Sequence, residues 1–483
     1  MAAPASRRAS SPSFRDRHGA AAGARLDRTI SVNSQRWVSR LGFLLSAVGA
    51  AVGMGSIWRF PYLAAAGGGF AFIAVFVLAC LAFGAPVFIA EAVLGRWSRH
   101  SPPRAAGVIA GRFGDSALWD VVGWTGSIAG FLIISYYTMI AGWVLAYTWF
   151  FLCGNYARGP PAVVAKFHAF VADSRAVSLW QLGFFALVAV VSARQLNRGV
   201  EWANRWRAPG LLAILLVLVA YSLATGDVAR GLRFAFAPDL SRLTSVVVLG
   251  AVGQALFAMG VSAGIIIAYG AYMPVGESLQ RSVTAVVGSI FVVSLLATVV
   301  IFPLMFHYGL NPAEGPELVF QVLPIAFAEM PGGRLIGTLF FALLALAAFT
   351  PSIGLMEPWI AWLSERAGLR RTTAACLCLG AGWLIGQGSV LSFGHLKDWH
   401  PLRSIPRLAG LNFFAVVDFL AANLLMPISA LLVSVFIGWR MGKRIPEGEL
   451  SGLSLRSRRL LLFALRYVCP LGIAIVLVVG FSR

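Results

Sequence analysis

Long apolar runs separated by short, arginine-bearing connections dominate this chain. Eleven segments reach spanning length, at roughly 38–64, 70–95, 119–152, 178–195, 208–224, 245–272, 282–307, 335–363, 372–392, 411–439 and 459–480. A helix that crosses a bilayer needs about 20 largely apolar residues. Two of the eleven are interrupted in the middle. In the first, WVSRLGFLLSAVGAAVGMGSIWRFP, Gly49, Gly53 and Gly55 break the run, and Arg59 closes it just ahead of Pro61. Glycine inside a helix costs roughly 1 kcal/mol per residue. Taken alone, the run fits a small-residue packing face, Gly49-xxx-Gly53, as well as it fits an unwound helix.

The sixth segment decides between the two. Gly253, Gly260 and Gly264 again put glycine in mid-span. Spans one and six open two halves of five spans each, and an odd number of spans per half gives the halves opposite orientations. Unpaired backbone in hydrocarbon is costly unless it is buried in protein or lines a wet cavity. Matching interruptions in corresponding helices of inverted halves therefore mark a transporter binding site. The expected fold is an all-α polytopic membrane protein, a five-plus-five inverted-repeat transporter with unwound first and sixth spans. Its core is expected over 37–440, with repeats at 37–224 and 245–440, followed by a loop and one additional span in 441–483.

Composition agrees. Of 483 residues 59% are hydrophobic and 12% charged, about half the charged share of a soluble protein. The net charge of +20, almost all of it arginine, is read by loop, because basic residues mark the cytoplasmic side. The connections 96–118, 193–207, 273–281, 364–371 and 440–458 carry the arginines, whereas 308–334 has only Arg334. This places the N-terminus in the cytoplasm and the C-terminus outside, in a cell (inner) membrane. Residues 1–36 lack the apolar core of a secretory signal and are expected to be a disordered basic tail. The five cysteines have no zinc spacing, and His395 with His400 has poor ligand geometry. There is no catalytic constellation, no phosphate loop and no nucleic-acid module, so neither an enzyme nor a nucleic-acid partner is expected.

The chain resembles the neurotransmitter:sodium symporter family. The carrying residues in span one are Trp37, Arg40-Leu41-Gly42-Phe43, Gly49, Ala51-Val52-Gly53, Gly55 and Trp58-Arg59-Phe60-Pro61-Tyr62. Gly67-Gly68-Gly69, Pro86, Glu91 and Leu94-Gly95-Arg96 extend the match, as do Tyr136-Tyr137, Val252-Gly253-Gln254 with Phe257, and Asp418-Phe419. The resemblance covers about 37–440. It implies alternating access around a site between spans one, three, six and eight, with no cofactor beyond sodium as coupling ion.

By that resemblance, Gly53, Met54 and Gly55 offer backbone N–H groups to a substrate carboxylate at a half-helix N-terminus, and Tyr137 donates its hydroxyl to it. Gly53 stands where amine-carrying relatives resemble one another in having an aspartate, so the expected substrate brings its own carboxylate. Ala50, Ala51, Ile133, Phe257, Gly260, Ala263, Pro351 and Leu355 match the side-chain pocket. None is charged, and apolar walls reward apolar side chains at roughly 25 cal/mol per Å². Arg59 and Asp418 resemble the outer gate pair. Trp37, Tyr272 and Glu365 match the inner gate, although Ser34 replaces its basic member and Arg36 is one possible substitute. Glu91 and Glu357 are expected to be hydrogen-bond hubs.

The ion sites are uneven. The second sodium site would take carbonyls of Gly49, Val52 and Ala347 and the Thr350 hydroxyl, with Pro351 in place of a further hydroxyl. Proline disrupts the bond to the carbonyl four residues earlier, which frees the oxygen of Ala347. The first site is degenerate, keeping Ala51 and Ser56 but offering Ala258 and Ile290 where oxygens belong. The chloride position has Phe76 in place of a tyrosine, leaving Ser294 and Gln254. The implied function is sodium-coupled symport of a neutral hydrophobic or aromatic L-amino acid. Its rivals are a proton-coupled or exchange transporter of the same fold, and an amino-acid sensor that does not transport.

Overall fold

The computed structural model describes residue 48 and residues 53–193, 196–237, 239–273, 278–310, 318–405, 408–450 and 452–482. The expected tail lies outside them, as do Trp37, Gly49, Ala50, Ala51 and Val52. Eight described helices are long and apolar enough to cross a bilayer, or nine if a pair bent by 117° is counted as one span. Of the expected spans, the sixth is missing from that count because it is broken, and most of the first lies outside the described residues.

The described part of span one starts at a bend at Gly53, enters a π-turn over Gly55–Arg59 and continues as α1 (Phe60–Ala66). Pro61 has no N–H to give the carbonyl four residues back, and the wider turn, with Phe60 N–H on Gly55 O, accommodates it. Span two is α2 (Phe70–Ala79), a π-turn at Cys80–Gly84 and α3 (Ala85–Ser98). Helix α4 (Pro102–Arg112) leads to α5 (Val121–Leu152), the most buried span. Next come α6 (Pro160–Ala172), α7 (Ser174–Ala193), α8 (Leu196–Thr225) and α9 (Val228–Phe236).

Span six is split into α10 (Ser245–Met259) and α11 (Ile265–Ala271). Gly260 (φ +66°) and Gly264 (φ +78°) bracket the break, and Ser262 between them also has positive φ, +63°. A residue with a Cβ pays for that region, and here Glu91 Oε1 holds the Ser262 N–H at 2.8 Å. One buried carboxylate thus stabilises the broken segment. Helix α11 lies against α3, where a Cβ on Gly95 would stand 2.0 Å from the Ile267 carbonyl oxygen, so only glycine permits the crossing.

The second half continues with α12 (Leu279–His307), α13 (Leu318–Glu329), α14 (Gly333–Ala367) and α15 (Arg371–Leu391). Span ten is α16 (Phe413–Asp418), a π-turn at Phe419–Leu425, α17 (Met426–Val435) and a second π-turn at Phe436–Arg440. The final span is α18 (Leu455–Phe463), a π-turn at Ala464–Val468 and α19 (Cys469–Ser482). Helices α5 and α14 pack on each other beside the two broken spans. At the arginine-poor end, the buried Trp143 indole meets Phe167, Phe320 and Phe393 at 5.6, 5.5 and 5.1 Å. These rings tie α6 and α13 over the ends of α5 and α15.

Candidate functional site

The break in span six and the bend at Gly53 face each other across a cavity of about 30 Å³. Gly53 and Gly55 line it from span one, Ile133 and Tyr137 from α5, Phe257, Gly260 and Ala263 from span six, and Pro351 and Leu355 from α14. No wall residue is charged. At the carboxylate end the chains converge. A Cβ on Gly53 would stand 3.1 Å from Pro351 Cγ, 3.4 Å from the Tyr137 hydroxyl and 3.7 Å from the Ala347 carbonyl oxygen. A side chain larger than glycine's would crowd this corner, where span one, α5 and α14 meet. Phe257 presses on Gly55, whose Cβ would fall 2.6 Å from the ring, and so closes the cavity toward Arg59.

Arg59, 2% exposed, lies above that ring, 5.0 Å from its centroid. It donates to Asp418 Oδ2 at 2.7 Å and to Gln254 Oε1 at 2.9 Å. Tyr136 donates to the other Asp418 oxygen at 2.7 Å, so both carboxylate oxygens are used. The Gln254 amide donates to Gly55 O at 3.1 Å. Spans one, three, six and ten are thus joined by one polar network on the arginine-poor side of the cavity.

The comparisons follow from this geometry. The model of the sodium:neurotransmitter symporter family matches residues 34–158 and 165–482. The chain belongs to the sodium:neurotransmitter symporter family. Its members are sodium-dependent transporters, not enzymes. It is 32% identical over 445 residues to the uncharacterized sodium-dependent transporter YhdH of Bacillus subtilis, covering 91% of this chain and 96% of that one. The crystal structure of MhsT in complex with L-phenylalanine superposes with a TM-score of 0.88 at 33% identity, over 93% of this chain and 100% of MhsT. A more distant relative is the sodium- and chloride-dependent GABA transporter ine of Drosophila melanogaster, 22% identical over 88% of this chain and 49% of its own length.

Within this symporter, Ala347 and Thr350 are buried on α14, one turn from the cavity. Ser56 is fully buried, and its hydroxyl has no hydrogen-bond partner among the described residues. Ala258 and Ile290, expected at the first sodium site, are buried and bring no side-chain oxygen. Gln254, expected beside the chloride position, instead spends its amide on Arg59 and Gly55. Among the described residues no group of three or more His, Cys, Asp or Glu could hold a metal ion.

The Met54 side chain is buried in the core, and the expectation for it concerns its backbone N–H. Tyr272 and Glu365 lie in separate clusters. The Tyr272 hydroxyl donates to Glu357 Oε1 at 2.7 Å, and Arg371 grips both Glu357 oxygens at 2.8 and 2.6 Å. Glu365 accepts from Arg104 at 2.8 Å and from Ser101 N–H at 3.1 Å, and lies 2.6 Å from His100 Nδ1. Each carboxylate on α14 is claimed by the nearest cations on neighbouring elements, which one-dimensional spacing cannot reveal.

Sequence reasoning missed Met426 and Ile265 as walls. Met426 follows the π-turn of span ten, and no motif in the sequence announces that span at the cavity.

Proposed function

We propose that this symporter imports a large hydrophobic or aromatic neutral L-amino acid with sodium. The observation that carries the reading is the cavity itself. Its walls are uncharged, and its glycine corner at Gly53 stands within reach of the Tyr137 hydroxyl. A carboxylate has donors there, at a half-helix N-terminus, whereas a charged side chain would pay heavily for desolvation among Ile133, Leu355 and Met426. The L-phenylalanine in the MhsT complex is a ligand of the same character.

In this reading Arg59 and Asp418 are the gate on the outer side, closed here, and the arginine-rich side is cytoplasmic. The second sodium site uses Ala347 and Thr350 together with Gly49 and Val52, which lie outside the described residues, as does Ala51. Carbonyl and hydroxyl oxygens can hold a hard cation without a carboxylate. One sodium per substrate, with no chloride requirement, follows from the oxygen-poor first site at Ser56, Ala258 and Ile290. Tyr272 and Glu365 serve the inner side through separate clusters.

Those missing oxygens also favour a second reading, an amino-acid sensor that binds without net transport. Uptake of a radiolabelled amino-acid panel into proteoliposomes, with sodium or with choline outside, separates them. Sodium-driven accumulation of phenylalanine, tryptophan or leucine is expected. Binding without accumulation would select the sensor, and uptake unchanged in choline would refute sodium coupling.

A further inference from the structure

Away from the central cavity, a groove of about 340 Å³ opens between α3, the start of α12 and the final span. Leu81, Ala85 and Ile89 line one side, and Leu460, Ala464 and Val468 the other. The far end is closed where the Cys469 thiol reaches Ala82 O at 3.4 Å and Phe83 packs over Gly472. Both walls contain a π-turn, Cys80–Gly84 and Ala464–Val468, and the two turns pack together. Each inserts a residue into its helix, and such turns concentrate at functional sites.

The mouth has a different chemistry. Gln280 and Ser457 line it. Exposed Arg281 follows Gln280, exposed Arg456 precedes Ser457, and exposed Arg459 lies two residues after it. None of these three arginines pairs with a carboxylate among the described residues. Several basic residues on the same side do have one, since Asp115 holds Arg440 and Arg444 and Glu449 holds Arg96. Three arginines without a carboxylate partner among the described residues thus stand within two residues of the polar lining at the open end of an apolar slot. The final span beside it is also the least buried of the eight, with 22% of its apolar window inside the protein.

We propose that this groove binds one anionic glycerophospholipid, with an acyl chain between the π-turns and the phosphate at Arg281, Arg456 and Arg459. A basic cluster at the end of a span attracts anionic headgroups, and the slot supplies a seat for the chain that a flat helix face lacks. The lipid braces α18 and α19 against α3.

Native mass spectrometry of the full chain, released from vesicles of phosphatidylcholine alone or with phosphatidylglycerol, tests this. Wild type is expected to retain one phosphatidylglycerol per chain that Ala85→Trp, which fills the groove, does not. The exposed triple variant Arg281→Gln/Arg456→Gln/Arg459→Gln does not threaten folding. It should lose the preference for anionic over zwitterionic lipid, by about fivefold per arginine. Equal retention by wild type and Ala85→Trp, or an unchanged preference in the triple variant, would overturn the proposal. So would full displacement of the lipid by millimolar inorganic phosphate, which would leave an anion site without an acyl slot.

Discussion

Asp418→Asn removes one charge from the closed outer network and leaves the packing nearly intact. Arg59, 2% exposed, then keeps Gln254 and the Phe257 ring among its partners. Removing one member of a buried ion pair costs roughly 3–5 kcal/mol. Asp418 retains 16% side-chain exposure and two partners of Arg59 survive, so the lower end applies, about 3 kcal/mol. That cost falls on the closed state alone, because both groups reach water once the outer path opens. At about 1.4 kcal/mol per factor of ten, the closed-to-open ratio should fall by about 150-fold. The assay is labelling of Ile133→Cys, a cavity wall beneath the pair, with the exposed Cys153 and Cys376 replaced by serine. Labelling from outside should accelerate, and transport should fall while the folded yield is kept. Labelling and uptake both at wild-type rates would refute the gate.

Further outcomes follow from the same geometry. Ala263→Phe should block binding of aromatic amino acids, measured by displacement of a radioligand, by filling the cavity from its span-six wall. Gly260→Ala should instead lower thermal stability by about 1 kcal/mol through its φ of +66°, with nothing but Ile265 near the new methyl. Thr350→Val should abolish sodium-dependent uptake while Ser56→Ala changes it little, and the reverse order would move the coupling ion to the first site. Hydrogen bonding from Arg440 holds Asp115 below its ordinary value of 3.8. Its link to Arg440 and Arg444 is therefore complete near neutrality and lost only as acid protonates the carboxylate. The protection factor for hydrogen exchange at 111–116 should be flat around neutral pH in wild type and lower at neutral pH in Asp115→Asn.

Much of the site was legible because it is written in backbone chemistry. Gly260 and Gly264 bracket the break in span six, Gly53 sits at a bend and Gly55 opens a π-turn, and all four stand around the cavity end of the two spans. The pairing of Arg59 with Asp418 was expected from the family resemblance, and the structure joins them at 2.7 Å; an ion inside a span needs a counterion, but that rule does not say which. Met426 was not legible, because a methionine in an apolar run looks the same whether it faces lipid, core or cavity. The Glu357 and Glu365 clusters escaped for a related reason. Both lie on α14, and which cations reach them depends on where α4, α11 and α15 cross it.

The sequence by itself therefore determined the class, the all-helical fold, the break in the sixth span and the uncharged character of the cavity. These follow from local rules: length of apolar run, glycine's cost in a helix and the price of an unpaired charge in hydrocarbon. Tertiary structure alone decided which side chains face one another. It put Glu91 under Ser262, turned Gln254 from the expected anion position to the gate, and brought span ten to the cavity through a π-turn. Those choices rest on rotation and crossing of helices that are apolar on every side, and an apolar sequence carries no periodic mark of which face turns inward.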